Sequence, residues 1–76
     1  MIDPYQATVL RRPLAIRVDP SFDSIVLQVI PKGGIVQVID GPVIAEGASW
    51  VRVVAECTPC EAWCLMLDTD KEAMIA

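Results

Sequence analysis

The chain has 76 residues, a mass of 8.3 kDa, a formal net charge of −4 and 54% hydrophobic residues. A chain of this length makes one domain with a small core and has no room for a two-lobed catalytic architecture. Its pI is near 4.4 and it has no histidine, so it lacks the basic surface that nucleic-acid backbones require and the commonest general base and zinc ligand.

Short Val- and Ile-rich runs, each bounded by Pro, Gly, Asp or Ser, predict strands through most of the chain. The first covers 7–10, breaks at Arg11-Arg12-Pro13 and resumes at 14–18. Asp19-Pro20-Ser21-Phe22-Asp23-Ser24 is an irregular loop, because Pro, Asp and Ser form local turns in place of a ladder. A strongly β-branched strand at 25–30 closes at Pro31-Lys32-Gly33-Gly34, and the next, at 35–39, ends at Asp40-Gly41-Pro42. A longer loop at 43–49 leads into a strand at 50–55, and the turn Cys57-Thr58-Pro59-Cys60 separates it from a last strand at 62–67. Thr69-Asp70-Lys71-Glu72 has the capping-box pattern, which predicts one helical turn, with a frayed tail as the alternative. These elements predict an all-β, five-stranded barrel over 1–67 with a short C-terminal helical turn or tail at 68–76. Closure into a barrel disposes of the exposed edges that so many Val and Ile residues would make hazardous.

No window approaches the roughly 20 apolar residues that span a bilayer, and no membrane association is expected. The N-terminal Met1-Ile2-Asp3-Pro4-Tyr5-Gln6 lacks the features of a signal peptide, so the expected location is the cytoplasm unless a leader has been removed. Three cysteines are an odd number, unlike the paired framework of a disulfide-stapled secreted domain.

The order of motifs resembles the bacterial SH3 domain family. Leu14-Ala15-Ile16-Arg17-Val18-Asp19-Pro20-Ser21 is similar to its hydrophobic-Arg-x-Gly-Pro-Ser opening, with Asp19 in place of the usual Gly. Ile30-Pro31-Lys32-Gly33 with Val36-Gln37-Val38 resembles the Leu-Pro-Lys-Gly strand-turn-strand segment. Asp40-Gly41-Pro42-Val43 and Gly47-Ala48-Ser49-Trp50-Val51-Arg52-Val53 look like the Gly-Pro loop and Trp-x-x-Val strand of one subgroup, and Ala62-Trp63-Cys64 stands where the family places Gly-Trp-Val. The resemblance covers about 7–67 and implies an SH3-like barrel with Val36 and Val38 pointing inward. It also implies recognition of a cell-wall peptide or glycan, as an alternative to a purely protein partner.

The candidate sites are few. Cys57, Cys60 and Cys64 supply thiolates that suit zinc, but a structural zinc site takes four ligands, so Glu56, Glu61 or a second subunit would have to complete it. The competing expectation puts Cys64 in the interior and Cys57 and Cys60 on a turn, with no cofactor. Ligand grooves in SH3-like folds use aromatics of the long first loop, which marks Phe22, with Asp19, Asp23 and Trp50, as a candidate surface. The alternative has Phe22 folding back on the core and both tryptophans capping the barrel.

A physical anomaly lies in the strands themselves. Barrel strands alternate apolar and polar residues, yet 25–30 is apolar except for Gln28, and 35–39 except for Gln37. With Val36, Val38, Val51 and Val53 inward, Ile35, Ile39, Trp50 and Val54 are left outside. An exterior patch of that kind demands a cover, either another chain or the protein's own tail folded back. No catalytic constellation or phosphate-binding loop is present, so the expected function is a non-catalytic binding module, self-associating or a small subunit of an assembly. An active site built at a symmetry axis of an oligomer is the enzymatic alternative.

Overall fold

The computed structural model describes residues 3–54 and 62–76. Its regular structure is all β: β1 (Tyr5–Thr8), β2 (Leu14–Arg17), β3 (Val26–Ile30), β4 (Ile35–Ala45), β5 (Ala48–Val53) and β6 (Trp63–Leu67). They form one antiparallel sheet of six strands in the order β1-β4-β5-β6-β2-β3. The expected five strands become six because Arg11-Arg12-Pro13 separates segments with different neighbours. β1 pairs with β4, whereas β2 pairs with β3 and β6. β1 and β3 stand at the two edges of this order, so the strands do not close on themselves.

The expected loop at 43–49 is instead strand and hairpin. β4 runs on to Ala45, where Ala45 and Ala48 face each other across a two-residue turn. Glu46 (φ 52°) and Gly47 (φ 75°) both have positive φ, the pattern of a type I′ turn, whose twist matches that of the flanking strands. β4 stays paired over this length by shifting register between Val38 and Asp40 and again between Asp40 and Val43. Gly41 sits in the second shift with φ 108°. A Cβ there would lie 3.0 Å from the Trp50 carbonyl oxygen and 3.2 Å from Val51 Cα, so glycine alone lets the two backbones approach so closely.

The interior follows the strand alternation. Val36 and Val38 of β4 and Val51 and Val53 of β5 are buried in one cluster with Leu14, Ile16 and Cys64. Each fully buried side chain of this size contributes about 1.5–3 kcal/mol relative to exposure. Cys64 is a free thiol at 0% exposure, and burial pushes its pKa up to about 12.

The helical turn expected at the C-terminus is not formed. Asp68 Oδ1 accepts from the Asp70 amide at 2.9 Å and the Glu72 amide at 3.0 Å, and the Lys71 amide donates to the Asp68 carbonyl at 2.9 Å. That turn leaves Lys71 at φ 64° and releases the chain into a non-helical path that bends at Met74. Isolated bridges then join Ala73 to Leu67 and Ile75 to Val9, and the Thr8 and Ala76 backbones bond reciprocally at 2.8 and 3.0 Å. A single helical turn gains little, whereas this path satisfies backbone groups along β1 and buries Met74 and Ile75 in the core.

Candidate functional site: an apolar groove and an aromatic cavity

Two concave regions lie on either side of β2. The larger is an open groove of about 440 Å³ bordered by β3 on one side and by β4 and β1 on the other. Although Pro31-Lys32-Gly33-Gly34 joins β3 directly to β4, these strands do not pair, and the groove occupies the gap between them. Ile16, Ile30, Ile35, Val36 and Val54 supply its apolar lining, and Gln6, Gln28 and Gln37 its carboxamides. Gln6 and Gln37 are direct partners across β1 and β4.

Ile35 and Val54 are therefore brought together, and both are more than half exposed, at 55% and 59%. Ile39 is not part of the groove and is only half-buried, because the register shift after Val38 turns it away from the simple alternation. Ile25 and Val29, flanking and within β3, are also exposed, at 71% and 56%, but do not line the groove. The tail does fold back, as one of the two expected covers, but it docks on the ends of β1 and β6 and leaves these residues open.

The smaller cavity, about 210 Å³, has Phe22 and Trp50 in its wall. Trp50 was expected outside, and it does lie apart from the main core cluster, yet it is only 1% exposed. The correction has a clear cause. The loop after β2 folds over Trp50, placing the Phe22 ring edge-on with a centroid distance of 5.0 Å, and the indole Nε1 donates to the Ala45 carbonyl at 2.9 Å.

That loop is tied at both ends. Arg17 Nη1 donates to the Ser24 carbonyl at 2.8 Å, and Ser24 Oγ donates to the Ser21 carbonyl at 2.7 Å. The Phe22 amide donates to Glu46 Oε2 at 2.7 Å, which docks the loop on the β4–β5 hairpin. Asp19 and Asp23 shape the loop through their backbones: the Asp19 carbonyl accepts from the Ser21 amide at 2.8 Å, and the Asp23 amide donates to Ser21 Oγ at 3.3 Å. Both aspartates are exposed, and neither lines the cavity with Phe22 and Trp50.

Sequence reasoning missed Gln6 and Glu46, and it grouped Arg12 and Arg17 with Arg11 as a basic cluster near the first strand without linking them to Phe22 and Trp50. A signal for part of the groove was present, since Gln28 and Gln37 are the lone polar residues in two β-branched runs. Among the cysteines, Cys64 is enclosed in the core, while Cys57 and Cys60, with the turn they flank and Glu56 and Glu61, lie outside the described residues. Comparison with protein-family models, with characterised proteins and with solved structures found no match to this chain.

Proposed function

We propose that this chain is a non-catalytic SH3-like binding module that acts through protein–protein contacts and self-associates. The observation that carries the reading is the exposure of large apolar side chains, Ile25, Val26 and Val29 at the edge strand β3 and Ile35 and Val54 in the groove. Apolar side chains exposed in this number, with an apolar groove among them, mark interaction sites in small proteins. The SH3-like assignment is supported by the order of sequence motifs, the all-antiparallel sheet and the long loop between β2 and β3. The tail bridges add support, since they link the end of β1 to the end of β6, two strands that do not pair in the sheet.

A stable interface removes about 800 Å² per partner. Against a total accessible surface of 4553 Å² this is a large fraction, so the contact must extend from β3 across the groove to Val54. Native mass spectrometry and sedimentation of the full chain are expected to give multiples of 8.3 kDa. Val54→Glu places an unpaired charge in the contact and is expected to weaken assembly by about a hundredfold, or roughly 2.7 kcal/mol. A monomer at every accessible concentration, or a Val54→Glu variant that assembles like the parent, would refute the proposal.

A further inference from the structure

The cavity under the Phe22 loop combines features that the groove lacks. Phe22, Trp50, Leu65 and Met74 make an apolar wall, and Arg12 and Arg17 are the charged residues that line it. We propose that this cavity is a binding site for an apolar carboxylate, with the hydrocarbon body against the aromatic pair and the carboxylate on the two arginines. The site is separate from the self-association surface and does not depend on it.

Charge placement carries the assignment. In a chain of net charge −4, two arginines line one small cavity, and no carboxylate side chain lines it among the described residues. Arg11, next in sequence, is already engaged: its Nε donates to the Ala73 carbonyl at 3.1 Å and its Nη1 lies 3.8 Å from Glu72 Oε2. Arg12 makes no hydrogen bond or ion pair with a described residue. Arg17 commits Nη1 to the Ser24 carbonyl, which fixes the guanidinium while leaving donors to spare. Glu46, on the β4–β5 hairpin against which the loop docks, is held by the Phe22 amide, and the loop's own Asp19 and Asp23 do not line the cavity. Guanidinium groups recognise carboxylates through parallel N–H donors, and such charge-assisted bonds are about twice as strong as neutral ones.

Size restricts the occupant. At about 30 Å³ per water molecule, 210 Å³ holds the equivalent of about seven waters. That suits one aryl or short alkyl group with its carboxylate, and falls below the roughly 300–1,000 Å³ of sites for larger ligands. Two sources share this chemistry: a free organic acid, and the C-terminal residue of a peptide with an apolar side chain.

The test is NMR titration of the ¹⁵N-labelled full chain, read at the Trp50 indole N–H, which Trp63→Phe assigns. The probes are hexanoate, acetyl-Gly-Gly-Phe with a free carboxylate, and the same peptide amidated. Saturable shifts at Trp50 with either acid are expected, with at least about tenfold weaker binding for the amide, since its charge-assisted contacts are lost. Response to hexanoate alone names a free acid as the ligand, and response to the peptide acid names a chain terminus. Arg12→Gln, at an exposed position, is expected to keep the parent spectrum and lose about tenfold in affinity. Equal binding of acid and amide, no saturation with either acid, or unchanged affinity in Arg12→Gln would overturn the proposal. Self-association measured on the same samples tests the other surface, so the two proposals fail separately.

Discussion

Cys64 shows how far a single residue can be interpreted before its neighbours are known. Its position in a strand of Ala, Trp, Leu and Met makes the interior a natural place for it, and the structure encloses it completely. The consequence for pH follows from the raised pKa. The native thiol keeps its proton to about 12, whereas the unfolded thiol releases it near its ordinary value of 9.0. The unfolded chain therefore binds fewer protons in that window, and stability that is fully present below 9.0 is lost as pH rises toward 12. The expected slope is about 1.4 kcal/mol per pH unit. Urea midpoints at about pH 8 and about pH 10 should separate in a Cys57→Ser, Cys60→Ser background, and Cys64→Ala should remove that part of the change. In the same background iodoacetamide should label Cys64 only in denaturant, because the thiolate is the reactive species. Trp50 marks the opposite case. Alternation correctly took it away from the core valines, but its burial depends on Phe22, twenty-eight positions earlier, and a local pattern carries no record of that contact.

Among the elements, the β4–β5 hairpin was the least legible. Asn-Gly or Asp-Gly advertises a type I′ turn, whereas Glu46-Gly47 does not, and Pro42 inside the segment argues for a loop. Glu46 tolerates its positive φ in a turn where its carboxylate also receives the Phe22 amide. Gly47 tests the turn cleanly. A Cβ there would meet only Thr69 Cγ2 at 4.0 Å, so Gly47→Ala adds no clash and reports the backbone conformation alone. We expect it to lower stability by about 1–2 kcal/mol, the cost of the left-handed region for a residue with a side chain. An unchanged urea midpoint would show that the turn is not populated as described. The C-terminal segment misled in another way. Thr69 and Glu72 fit a capping box, but Asp68, one residue earlier, captures the amides of Asp70 and Glu72 and bends the chain before a helix can start.

At the scale of the whole molecule, the tail is a structural part of the domain. Met74 is 1% exposed within the main core cluster, and its backbone bonds to Met66 on β6 and Leu10 after β1. Met74→Ala should cost about 2–5 kcal/mol. That is a large share of the roughly 5–15 kcal/mol that holds a domain together, and a domain of this size sits at the low end. Thermal unfolding followed by circular dichroism checks this; a melting temperature unchanged from the parent would remove the tail from the core. The all-β class, the shared face of Val36 with Val38 and of Val51 with Val53, and the apolar excess on the other faces were all present in the sequence, because the strand period of two is a local property of the backbone, whereas which face turns inward came from the resemblance. Strand neighbours, the β1 and β3 edges, the groove between β3 and β4, and the meeting of Arg12 and Arg17 with Phe22 and Trp50 were decided only when the chain folded. Those features join residues far apart in sequence, and their placement follows from register shifts, loop docking and competition for backbone partners that no short window contains.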